Sequence, residues 1–222
     1  MSDQISAKQF HESEGVADWR VLCDGATAYF RTRSLAQGAR LVQAISELPG
    51  IDDHPPDVDL RPDGVTVRLL TTTAEYWGMG RRDVEVARQI SAAARALGLS
   101  PYPRAVQSLL VIPGSTDTAA VMPFWQAVLG YEPRSDSPKE DLVDPHRRGA
   151  PFWFERMHEP RPNGGGAIHV AIWVPYEQAQ ARVAAALAAG GRMVRDEFAP
   201  AWWTLADAAG NEADIATTMG HE

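Results

Sequence analysis

AVQSLLVIP, residues 105–113, and AIHVAIWVP, residues 167–175, lay out one plan twice. Each opens on alanine, places a polar side chain at its third position (Gln107, His169), continues through apolar residues and ends at a proline. A helical pattern follows each run, ending near Gly130 and near Gly190-Gly191. Short extended stretches come after each helix and close with residues 152–157 and 214–218. The ordered recurrence of strand, helix and glycine predicts two strand–helix–strands modules in one unit. Pro123 breaks the first helical pattern. Either a helix from Asp117 onward is kinked at Pro123, or regular helix begins only at Met122 or Pro123, where the missing amide costs little; the late start is the expectation.

Working outward, residues 97–104 read LGLSPYPR. Gly98 can stop a helix, and Pro101 and Pro103 discourage regular structure, so the boundary is placed here, between units 1–100 and 104–222. In the first unit, residues 19–22 and 27–31 are strand candidates, turned by Asp24-Gly25. Ser34 opens a helix, Gln37 completes a capping-box pattern, and Leu41, Val42, Ile45 and Leu48 form its apolar stripe. Residues 58–61 and 65–70 form a second strand pair through Pro62-Asp63-Gly64, and residues 81–97 form the last helix. The fold class expected is α+β: a small antiparallel sheet with two helices on one face, then the paired modules.

Composition narrows the functional classes. The chain has 222 residues, 45% of them hydrophobic, which is enough to fill two cores. A formal net charge of -8 and the lack of a basic patch exclude nucleic acid as the main partner, since phosphate binding draws on dense Lys and Arg. Cys23 is the only cysteine, so neither an intrachain disulfide nor a thiolate zinc cluster can form within one chain. The opening residues lack the apolar core of a signal peptide, and no apolar run is long enough to span a membrane. A soluble cytoplasmic protein without a membrane partner is the expectation.

Two places carry chemistry. Residues 52–57, DDHPPD, set His54 beside Asp53 in a loop stiffened by two prolines. Imidazole exchanges protons near neutral pH and a neighbouring carboxylate can orient it; the alternative is an acidic, solvent-facing loop with an ordinary histidine. In the second unit, His169 shares a strand face with Ala171 and Trp173, while Gln107, Glu155 and Asp214 stand at related module positions. If the modules pair around a cavity, these four suit a divalent ion with oxygen and nitrogen ligands; otherwise His169 is a core residue and the carboxylates are surface charges. Trp173, Trp202, Trp203, Phe152 and Trp153 either line an aromatic cavity or fill a sheet core.

Residues 8–98 resemble the pterin-4a-carbinolamine dehydratases. The likeness rests on the helix ending in Ile45-Ser46-Glu47-Leu48, on Asp53-His54-Pro55, on the strand at 65–70 and on Gly78-Met79-Gly80-Arg81-Arg82-Asp83. It implies dehydration of 4a-hydroxytetrahydropterin to the quinonoid dihydropterin with histidines as acid and base, and with no metal or coenzyme. His54 matches the second histidine of the usual His-His-Pro; Asp53 replaces the first and Thr72 replaces the histidine at the strand end. His54 and Asp53 are thus the expected catalytic pair, with Thr72 and Trp77 against the substrate. Residues 105–217 resemble a glyoxalase-like domain of the vicinal oxygen chelate superfamily, with paired βαβββ modules. Here the cues are Phe124-Trp125, Leu129-Gly130-Tyr131, the strand carrying His169, and Trp203 through Asp207 to Gly210-Asn211. This resemblance implies Gln107, Glu155, His169 and Asp214 as ligands of a divalent metal; in the aromatic-cavity reading, Trp173 and Trp203 stand beside a substrate.

Three functions follow as expectations. The first is a 4a-hydroxytetrahydropterin dehydratase, a lyase attenuated by its missing histidines, carrying a glyoxalase-like small-molecule-binding domain. The second is a metal-dependent lyase, isomerase or dioxygenase acting in the C-terminal unit. The third is a non-enzymatic small-molecule-binding protein. A homodimer is expected in each case.

Overall fold

The computed structural model describes residues 3–159, 168–206 and 212–221. The chain divides into Met1–Val106 and Gln107–Glu222, each with its own core. The first unit runs β1 (Gln4–Ile5), α1 (Ala7–His11), β2 (Arg20–Leu22), β3 (Gly25–Arg31), α2 (Leu35–Ser46), β4 (Asp57–Arg61), β5 (Gly64–Leu69), β6 (Thr71–Thr73), β7 (Tyr76–Gly80), α3 (Arg81–Ala96) and β8 (Ser100–Pro101). Strands β2-β3-β5-β4 form an antiparallel sheet, and β8 extends it alongside the end of β3. Alternation along β3 and β5 sends Ala26, Ala28 and Phe30, with Val65, Val67 and Leu69, into one core. Leu41 and Ile45 of α2 and Ala87, Ile90 and Ala94 of α3 cover that face at helical spacing. Trp19 is wholly buried there and donates Nε1–H to Ser91 Oγ at 3.0 Å, so the indole adds apolar area without stranding its donor.

Several local expectations change. Residues 97–104 belong to the first unit: Pro101 sits in the edge strand β8, where a missing amide costs no ladder bond, and Tyr102 lies under the Arg31 guanidinium. The β2–β3 turn uses Cys23-Asp24, and Gly25 opens β3 with φ +118°, its Cα pressed so closely on the Leu69 carbonyl that any Cβ would collide. Gln37 does not close a box on Ser34. Its side chain reaches back to the Arg33 amide, while Ser34 Oγ accepts from Gln37 N. Two further elements join those expected: α1, whose Ser6 and Gln9 form a reciprocal capping box, and the small β1-β7-β6 sheet that carries the chain into α3.

The second unit continues with β9 (Ser108–Ser115), α4 (Thr118–Leu129), β10 (Glu132–Pro133), β11 (Asp141–Val143), β12 (Phe152–Trp153), β13 (Glu155–Arg156), β14 (Ile168–Trp173), α5 (Tyr176–Ala188), β15 (Arg192–Arg195), β16 (Trp202–Ala206) and β17 (Glu212–Ala216). The sheet order is β10-β11-β12-β9-β14-β17-β16-β15, with β13 also on β9. Each half therefore repeats the other outward from a central antiparallel β9–β14 pair, and in each half the first strand lies parallel to the last. Met122, Leu142, Phe152 and Phe154 form the core of the first module; Val174, Val183, Trp203, Leu205 and Ile215 form that of the second. Phe152 and Trp203 thus pack in separate cores. Helix α4 begins at Thr118, earlier than Pro123 predicts, because Asp117 accepts from Ala120 N at 3.2 Å and starts the first turn. Pro123 is carried inside that helix. Among the described residues, no helix is long and apolar enough to cross a membrane.

Candidate functional site

In the first unit the chemistry gathers at the start of α3. Gly80 is the N-cap and Asp83, in the first turn, turns its carboxylate back to accept from Gly80 N at 2.6 Å. Thr71 Oγ1 donates to Asp83 Oδ2 at 2.7 Å, and His54 Nε2 lies 2.6 Å from Asp83 Oδ1. The Asp83 side chain is fully buried, whereas that of His54 is 15% exposed. Three donors on one buried carboxylate offset its loss of hydration, and the helix N-terminus favours its charge. The carboxylate also selects the imidazole tautomer. With Nε2–H donating, Nδ1 is left as the acceptor, and it has no partner among the described residues. Backbone geometry fixes the ring's origin: His54 closes a single helical turn over Ile51–Asp53, its amide donates to Ile51 O at 3.1 Å, and Pro55-Pro56 restrict the exit.

The histidine's carboxylate partner is Asp83, which sequence proximity did not reveal. Asp53 points elsewhere, its side chain 79% exposed and 3.5 Å from Arg82 Nη2. Thr72 is exposed and faces Trp77 across the β6–β7 hairpin, while its neighbour Thr71 reaches the buried acid. Alternation along a strand accounts for the exchange of Thr72 for Thr71. Trp77 itself is half-buried. The first unit also has a cavity of about 690 Å³ bounded by Ile5, Pro49, Arg81, Arg82, Val84 and Glu85, and His54 is not in its wall.

In the second unit, His169 Nε2 lies 3.1 Å from Asp214 Oδ2, and Thr204 Oγ1 donates to Asp214 Oδ1 at 2.6 Å. All three residues are buried. Neighbouring strands make this contact: β14 pairs with β17 and β17 with β16, aligning Ala171, Asp214 and Thr204 in one row. His169 Nδ1 is buried and unpartnered among the described residues. The other two expected metal ligands do not join this pair. Gln107 precedes β9, and pairing of Ser108 with Trp173 and Ile112 with His169 places it roughly 17 Å along the strands from His169. Its Oε1 accepts from both Arg182 terminal nitrogens at 3.4 Å. Glu155 is half-buried in β13 opposite Gly114. Among the described residues no group of three His, Cys, Asp or Glu side chains is arranged to hold an ion, so these four do not fit a shared divalent metal.

Comparison with known proteins assigns each half separately. Residues 2–93 match the family model described as Pterin 4 alpha carbinolamine dehydratase, and residues 110–216 match that described as a glyoxalase-like domain. Among solved structures, the chain is similar to an NAD-dependent benzaldehyde dehydrogenase from Legionella pneumophila (16% identity, 49% of this chain and 97% of that one, TM-score 0.36). It is also similar to a glyoxalase/bleomycin resistance protein/dioxygenase superfamily member from Vibrio splendidus (16% identity, 50% and 99%, TM-score 0.34). A protein from Agrobacterium tumefaciens solved by NMR matches at 24% identity over 49% and 93%, with TM-score 0.22. No curated protein matches the chain. The polypeptide therefore carries a pterin-4a-carbinolamine dehydratase domain at residues 2–93 followed by a glyoxalase-like domain at residues 110–216.

Proposed function

We propose that the first unit dehydrates a 4a-hydroxytetrahydropterin with a single acid–base histidine, and that the second unit binds a small oxygenated or aromatic molecule. The observation that carries the first part is the pairing of His54 with buried Asp83. Loss of water from the substrate breaks the C4a–O bond, removes the proton from N5 and forms the C4a=N5 double bond. His54 Nδ1 takes the N5 proton, the Asp83 carboxylate stabilises the imidazolium through Nε2–H, and the same proton is returned to the departing hydroxyl to complete water. One histidine serves both steps in turn. With Asp53 turned to Arg82 and Thr72 unable to exchange protons near neutrality, no second acid or base stands ready at their positions. An attenuated rate follows from that.

The test is the decay of 4a-hydroxytetrahydropterin followed by absorbance, with and without the protein. Acceleration is expected, with a loss of about 10²-fold or more in His54→Ala, the usual size of a general acid–base contribution. A wild-type rate equal to the spontaneous one, together with measurable pterin binding, would move the assignment to a non-enzymatic binding protein.

A further inference from the structure

On the face of the second sheet that also carries Asp214 and Thr204, Trp173 of β14 pairs with Ala216 of β17, and Ala216 pairs with Trp202 of β16. The three residues form one row across the sheet, an indole on each side of a methyl group. Neighbouring strands lie about 4.8 Å apart, so the two tryptophan backbones stand roughly 10 Å apart with a small floor between them. That spacing accommodates one further ring between two stacked partners. His221 fills the place: its imidazole stacks on Trp173 at 5.5 Å and 18° and on Trp202 at 6.0 Å and 29°. Phe198 braces the clamp by stacking on Trp202 at 4.4 Å and 16°.

The histidine is delivered by a turn at the end of the described chain. Thr217 Oγ1 donates to Pro200 O at 2.7 Å and accepts from Met219 N at 3.1 Å, while His221 Nε2 lies 2.9 Å from Thr217 O. Met219 and His221 are exposed, so the segment lies over the site at the surface and is not woven into the core.

We infer that Trp173, Ala216 and Trp202 form a binding slot for a flat nitrogen heteroaromatic ring, and that His221 is a built-in occupant that the ligand displaces. The ring gains two aromatic faces in place of the imidazole. Because the slot is open only in the fraction of molecules whose tail has swung away, the tail lowers the apparent affinity by that fraction. This inference rests on the proposed binding of an aromatic molecule by the second unit and is independent of the pterin reaction assigned to the first.

Adenine is a suitable probe, being flat, nitrogen-rich and distinct from the first unit's proposed substrate. It is titrated into the full chain while its H2 and H8 proton resonances are followed. Stacking between indoles is expected to move both upfield, with affinity about tenfold higher in His221→Ala than in the natural chain. His221→Phe, which keeps a ring in the slot, is expected to bind adenine more weakly than His221→Ala, and Trp202→Phe to retain the shift. Equal adenine affinity in the natural chain, His221→Ala and His221→Phe would overturn the inference, as would the absence of any upfield shift in His221→Ala.

Discussion

Each half of the molecule holds one histidine against one buried aspartate, and the two pairs are built differently. Asp83 lies at the start of a helix, accepts from His54, Thr71 and the Gly80 amide, and leaves the far nitrogen of its histidine near solvent. Asp214 lies in mid-sheet, accepts from Thr204, contacts His169, and leaves the far nitrogen of its histidine buried. The helical pair is fixed by three donors and still open to a ligand. The sheet pair has fewer anchors and is closed over. Similar residue types thus give an accessible acid–base group in one setting and an enclosed polar cluster in the other, and the supporting backbone decides which.

Removing the acids would test this contrast most sharply. Asp83→Ala strands His54, Thr71 and a helix-cap amide together, and is expected to cost about 3–5 kcal/mol, the range for breaking a buried pair. Urea unfolding should show the loss in the first unit's transition alone; an unchanged midpoint would show that the carboxylate is not the anchor its three contacts imply. Asp214→Ala strands fewer partners and should cost about 2–3 kcal/mol, read as a lowered midpoint for the second unit. If the second loss exceeded the first, the ranking by number of donors would be reversed. The smallest effect is expected at Asp53, whose exposed ion pair with Arg82 contributes less than about 1 kcal/mol. Asp53→Ala should leave stability nearly unchanged and pterin turnover within a factor of two of the natural chain; a large fall in turnover would return Asp53 to the catalytic role that its place in the sequence implied.

Much of the architecture was legible because it is periodic. Alternation at 65–69, the helical stripe Leu41, Ile45 and the repeated strand plan at 105–113 and 167–175 each encode a buried face directly. What stayed hidden was short or non-local. Helix α1 is too brief to display a period, β6 is three threonines, and β7 is interrupted by Gly78, so neither strand shows apolar alternation. At the site, His54 was visible as an imidazole in a stiff loop. Its partner was not, because Asp83 is 29 residues away and meets it only when α3 starts beside the loop. Gln107 failed as a ligand for a related reason: two positions equivalent by repeat are carried to opposite ends of an antiparallel pair. Repetition in sequence sets topology, while register sets who meets whom.

The mirrored sheet of the second unit also bears on the order in which the chain is made. Strand β9 ends at Ser115, but its central partner β14 starts only at Ile168. At ribosomal speeds of about 5–20 residues per second, one flank of β9 waits roughly 3–10 s before its neighbour emerges. In the first unit β2 with β3, β4 with β5 and β6 with β7 close as local hairpins, while the short β1 waits for β7 and β3 waits for β5. During synthesis the leading half can thus be finished while Leu109, Leu110, Val111 and Ile112 still offer an open edge, and that interval is when a chaperone would be of most use to this protein.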